Sequence, residues 1–264
     1  MIDVHTHVFH PKIAAKVLDQ LRGHYDITPV GSGLAEDLIK RMDRAGVAMA
    51  VVHTAATSPD QVIPANNWAL SLKSAYPRLI PFGTVHPGFH GWPSELDRLE
   101  QAGVIGIKLH PDFQGFSLDD ASLHPILKEL RGRFLVMVHV GDRLPPDKNP
   151  SSPEKLARLL ERFPGLTVIA AHFGGYLHWD QVPEHLAGKD LYIDTSSTLA
   201  FASDAQIESI INKHPLDRFL FGSDYPLFDP SDELEALGRR CAMAEKDLKC
   251  LAGNAARLLG ISKS

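Results

Sequence analysis

Short apolar runs recur along the chain, and each ends in polar residues. The runs are MIDVHTH (1–7), VAMAVVHT (47–54), LIPFGTVH (79–86), VIGIKLH (104–110), FLVMVHV (134–140), LTVIAAH (166–172), LYIDTSS (191–197) and RFLFGSD (218–224). Near-continuous apolar runs of this length suit parallel strands buried on both faces. Helical patterns fall between them. Leu34–Ala45 carries apolar residues at 34, 38, 39 and 42. Pro153–Phe163 follows Ser151 and Ser152, a cap with proline in the first turn. Residues 205–212 and 232–244 read the same way, and AARLLG (255–260) closes a helix with glycine.

Eight strands alternating with helices predict an α/β fold with a parallel sheet. The first interval between strand ends is 47 residues and the others run from 24 to 33. A βαβ unit takes roughly 30 residues or more, so one helix fits most intervals. The whole chain, 1–264, is therefore expected to form a single (β/α)8 (TIM) barrel, regular or distorted. Such barrels take about 250 residues. The proline-rich stretch LPPDKNPSSP (144–153) directly follows the fifth run and is expected to be an active-site loop rather than a domain boundary.

Composition narrows the functions. The net charge is −5 with no long run of one sign, so the clustered Lys and Arg of a nucleic-acid footprint are missing. No apolar run reaches the 18 or so residues of a membrane span. Asp3, His5 and His7 interrupt the start of the chain, unlike a secretory leader. Cys241 and Cys250 have neither metal-site nor disulfide spacing and read as reduced thiols. The expectation is a soluble cytoplasmic protein with a small-molecule substrate, no nucleic-acid or membrane partner, and a homodimer as one option.

The chemistry lies in the histidines. Active sites of (β/α)8 barrels sit at the C-terminal ends of the strands. Seven of the fourteen histidines (5, 7, 53, 86, 110, 139 and 172) fall at or near predicted strand ends, and Asp224 ends the eighth strand. Residues i and i+2 of a strand share a face, so His5 and His7 can reach one ion. Alone, His139 or His172 reads as a core histidine, and Asp224 as a helix cap. Together at the strand ends of one barrel they converge with His5 and His7. Three histidines and a carboxylate (His5, His7, His139 and Asp224) suit a divalent ion, with Zn²⁺ first and Mn²⁺ or another ion as alternatives. Lys108 and His110 share one face of the fourth strand. Arg143, just after His139, could fork onto a substrate carboxylate, or serve only a surface ion pair. Tyr176 follows the sixth strand and is a candidate pocket residue, as His110 is.

These motifs resemble the amidohydrolase superfamily, particularly the amidohydrolase-related branch that includes aminocarboxymuconate-semialdehyde decarboxylase. DVHTH is similar to the family's opening HxH, and GIKLHP, MVHVG, AHFGG and FGSDYP match the later strands in order. NAARLLG is similar to its closing helix. The resemblance implies that His5, His7, His139 and Asp224 bind the main metal, that His172 polarises the substrate or orients a water, and that Asp224 is also the proton-transferring base. In two-metal relatives a carboxylated lysine bridges the ions. Lys108 is placed for that role, with His139 and His172 on the second ion, so one or two ions are expected. The superfamily is mostly hydrolytic, which ranks cleavage of an amide, lactone or ester by a metal-activated water first. Non-oxidative decarboxylation ranks second, and a non-catalytic, metal-stabilised binding protein third.

Overall fold

The computed structural model describes residues 1–261. Its strands are β1 (Ile2–His7), β2 (Met49–His53), β3 (Leu79–Pro81), β4 (Gly83–Thr84), β5 (Gly106–Leu109), β6 (Leu135–Val138), β7 (Thr167–Ala170), β8 (Tyr192–Asp194) and β9 (Phe219–Leu220). Every ladder is parallel. Pairing runs β1-β2-β3 in one sheet and β4 through β9 in order in the other. The third apolar run thus splits at Phe82: Pro81 has no N–H to give the ladder, while the Phe82 amide donates to the Val52 carbonyl at 2.9 Å.

The two sheets also meet at the other end. Val4 N–H donates to the Phe221 carbonyl (2.8 Å), Asp224 N–H to His5 (2.8 Å) and His7 N–H to Tyr225 (2.7 Å). Thr6 and Tyr225 form a parallel bridge. The fold is the expected α/β barrel, its ring drawn by these backbone bonds where the ladders lapse.

The helices are α1 (Ala14–Tyr25), α2 (Ala35–Ala45), α3 (Val62–Ala75), α4 (Trp92–Gln101), α5 (Pro111–Gln114), α6 (His124–Leu130), α7 (Pro153–Arg162), α8 (Val182–His185), α9 (Asp204–Lys213), α10 (Pro230–Arg240) and α11 (Glu245–Leu258). Ser152 caps α7, its side chain accepting from the Lys155 amide, and Leu156 and Leu159 face the core. Ser203 and Gln206 form a reciprocal capping box on α9. The expected helix 232–244 ends earlier, at Arg240. Ala242 takes φ 51° and the chain restarts as α11. The 47-residue first interval holds two helices, and α1 is the extra one. None of the described helices is long and apolar enough to cross a membrane.

Strand periodicity sets the depth of the site. Val51, Met137 and Ile169 pack with Phe82 and Leu220 in one apolar cluster, closed by Ala255 and Leu259 from the α11 end. Two residues further along the same strand faces come His53 and His139, and Lys108 follows Gly106 likewise. A polar layer therefore rests on an apolar one. Gly106 is required where Phe82 crosses it: a Cβ there would lie 2.3 Å from Phe82 Cε2. Gly106→Ala is expected to cost about 1–3 kcal/mol by overpacking, read as a lower urea midpoint with an unchanged slope.

Candidate metal centre

The strand ends open into a cavity of about 850 Å³. Its lining includes His5 and His7 from β1, Lys108 from β5, and Asp224 from the loop after β9. His110, His139, His172 and Tyr176 also line it. Ligand atoms of His5, His7 and Asp224 lie within 4.8 Å of one another. His7 Nε2 is 3.2 Å and His5 Nε2 3.7 Å from Asp224 Oδ1. Asp224 adopts φ 63°, and the Ser197 hydroxyl donates to its Oδ2.

Each imidazole is oriented by its far nitrogen. His5 Nδ1 lies 2.7 Å from Asp194 Oδ2 and 3.0 Å from Ser196 Oγ. His7 Nδ1 faces the His53 carbonyl at 3.2 Å. With these nitrogens donating, both Nε2 lone pairs are left for the cavity, an arrangement typical of metal-binding histidines. Without a cation the His7 Nε2–Asp224 Oδ1 contact is a hydrogen bond with the proton between them, and a bound cation would take the proton's place. Burial drives the imidazoles of His5, His53 and His110 well below their ordinary values, and the charge of Lys108 adds to the effect. Neutral imidazole is the metal-binding form. Burial alone would raise Asp224, but the His7 hydrogen bond and the charge of His172 outweigh it and hold the carboxyl below its usual range. Lys108 is fully buried, which lowers it to about 8, and its Nζ lies 3.2 Å from His5 Nε2.

His139 stands apart from this group of three. Its Nδ1 lies 2.9 Å from His172 Nε2, and its ring stacks on His110 at 3.8 Å between centroids. Its buried Nε2 has no hydrogen-bond partner. His172 is held by Ser196 Oγ at 2.9 Å from Nδ1. Tyr25 Oη reaches His110 Nε2 at 3.4 Å. Donor types, neutral imidazoles and the orphaned His139 nitrogen all fit a divalent ion.

Two sequence candidates are not among the lining residues. Arg143 is exposed, and its charge acts on Tyr176, which does line the cavity. Gly141, at φ 80°, turns the chain after β6 so close to Tyr176 that a Cβ would lie 2.2 Å from its carbonyl oxygen. The loop 144–153 is likewise absent from the lining. Instead the hydroxyl of Ser151 and the amide of Asn149 hold Asp112 at 2.5 and 2.9 Å.

The sequence reading also missed Asp194. It is fully buried, and its Oδ1 accepts from the amides of His172 and Ser196, both at 3.0 Å. Its signal was a carboxylate at the end of the run LYIDTSS, the same signal that marked Asp224.

No curated protein matches the chain in sequence. Many solved structures share its fold. An uncharacterised TIM-barrel protein from Bordetella bronchiseptica superposes with a TM-score of 0.76 at 20% identity, covering 99% of both chains. 5-Carboxyvanillate decarboxylase from Sphingomonas paucimobilis gives 0.68 at 19% identity, also over 99% of each. A dihydroxybenzoic acid decarboxylase from Polaromonas sp. JS666, with bound manganese and the inhibitor 2-nitroresorcinol, gives 0.70 at 16%, covering 100% of this chain and 97% of its own. These neighbours correct the ranking of hydrolysis above decarboxylation. That ranking rested on the habit of the superfamily, since one set of His and Asp ligands serves both reactions. The family described as Amidohydrolase matches residues 2–261. The chain therefore belongs to the amidohydrolase family of metal-dependent enzymes.

Proposed function

We propose that this protein is a metal-dependent, non-oxidative decarboxylase of an aromatic carboxylic acid. The observation that carries the reading is the cavity itself: His5, His7 and Asp224 meet within it, and aromatic side chains from Phe9, Tyr25, Trp68, Phe113 and Tyr176 line it. The decarboxylase neighbours, alike over the whole chain, support it.

His5, His7 and Asp224 would hold the ion, with His139 as the further ligand. Nitrogen and carboxylate donors accept both Mn²⁺ and Zn²⁺, and Mn²⁺ is the first to test. When bound, the ion supplies Lewis-acid charge that holds and polarises oxygen donors of the substrate. The aromatic walls position the ring. The reaction needs a proton at the ring carbon that bears the carboxylate. Asp224, ionised at rest, takes a proton from a substrate hydroxyl and passes it to that carbon. The C–C bond then breaks, its electron pair restores the ring, and CO2 leaves. Lys108 presents a hydrogen-bond donor to the carboxylate being lost, and His172, held by Ser196, positions His139. Asp194 acts through His5, and Asp194→Asn is expected to weaken divalent-ion affinity by about 10–100-fold, measured by calorimetry.

The test is CO2 release from a panel of hydroxylated benzoic acids by Mn²⁺-loaded protein. Release that stops with chelator and returns with Mn²⁺ is expected. Release that is indifferent to chelator would contradict the reading.

A further inference from the structure

α1 has an unusual position for an amphipathic helix. Such a helix normally lays its apolar stripe on the protein core. Ile13, Val17 and Leu21, one turn apart along α1 and its N-cap, also line the cavity, and Ile13 remains 49% exposed. The apolar stripe of α1 thus serves both, with Leu21 packed on the barrel core and also lining the cavity.

The same segment turns Lys12 and Lys16 into the cavity lining. The ion pairs of α1 are Arg22 with Asp19 (3.6 Å) and His24 with Asp142 (3.0 Å), and neither lysine takes part. Asp224 is the one carboxylate among the described lining residues, and it is engaged with His7 and Ser197. Lys12 and Lys16 therefore line the cavity with no ion-pair partner among the described residues, in a chain of net charge −5. The volume of about 850 Å³ lies toward the upper end of the roughly 300–1,000 Å³ found for pockets of drug-sized ligands. A one-ring acid would leave much of it to water.

We infer that the ligand of this cavity is an elongated aromatic acid with anionic groups at both ends, its far end bound by Lys12 and Lys16 and its apolar body covered by Ile13, Val17 and Leu21. The inference rests on the decarboxylase reading for the fate of the near carboxylate, and on the cavity alone for the far one. Lys12 and Lys16 are specificity-determining residues in this account, remote from the reacting bond.

Calorimetric titration of the Mn²⁺-loaded protein with biphenyl-4-carboxylate and biphenyl-4,4′-dicarboxylate tests it. The diacid is expected to bind about fivefold more tightly at low salt, the gain from two exposed ion pairs. Raised salt should shrink that preference. The variant Lys12→Gln/Lys16→Gln should abolish it while leaving the monoacid's affinity unchanged. Both positions are exposed, so the variant is expected to fold. Equal affinities in the wild type, an unchanged preference in the variant, or no binding of either probe would overturn the inference. Calorimetry needs no turnover. A diacid preference without CO2 release from any acid would therefore sink the decarboxylase reading alone, and CO2 release without the preference would sink the far subsite alone.

Discussion

Asp224→Asn is expected to lower turnover by about 10²–10⁴-fold, the range for loss of a positioned acid/base group. Asparagine keeps the size of the side chain and an oxygen for the Ser197 hydroxyl. It loses the charge that faces His7 and the ability to carry a proton. Steady-state kinetics on whichever acid of the panel is turned over, with metal content measured on the same sample, separates the two losses. A fall in kcat larger than the fall in metal content places the proton on Asp224. Full turnover by the variant would exclude that role.

His5→Ala/His7→Ala is expected to abolish tight divalent-ion binding and, with it, measurable turnover. Each imidazole Nε2 faces Asp224 Oδ1, at 3.7 Å for His5 and 3.2 Å for His7. The variant should also be less stable. Removal of the His5 ring takes the Nδ1 partner from the buried Asp194 Oδ2. A buried polar group left without its partner costs about 1–3 kcal/mol. A urea melt checks this and shows that the barrel remains. His7→Ala alone is the milder variant, because His7 is only partly buried. It should lose metal with a smaller loss of stability.

Much of this site was legible in the sequence, for a reason built into the fold. In a barrel, polar residues that end apolar strands must meet at one mouth, whatever the details of packing. His5, His7 and Asp224 needed only that rule. The rule does not set side-chain rotamers, which depend on distant strands. It did not show that His139 would turn toward His172 and stack on His110, or that Asp194 would orient His5. Arg143 was named for its closeness to His139 in sequence, and it is exposed and not among the lining residues. The extra length of the first interval was visible, yet the helix within it was not assigned. The face that α1 turns to the cavity therefore emerged only from the structure. Hydrolysis and decarboxylation could not be ranked from ligand types, because both reactions use neutral imidazoles and a carboxylate around one cation.

The measurement that bears most directly on the metal-centre account is metal content by mass spectrometry, after incubation with Mn²⁺ and dialysis. The account predicts at least one ion per chain in the wild type and none retained by His5→Ala/His7→Ala. Equal metal content in the two proteins, or none in the wild type, would contradict it.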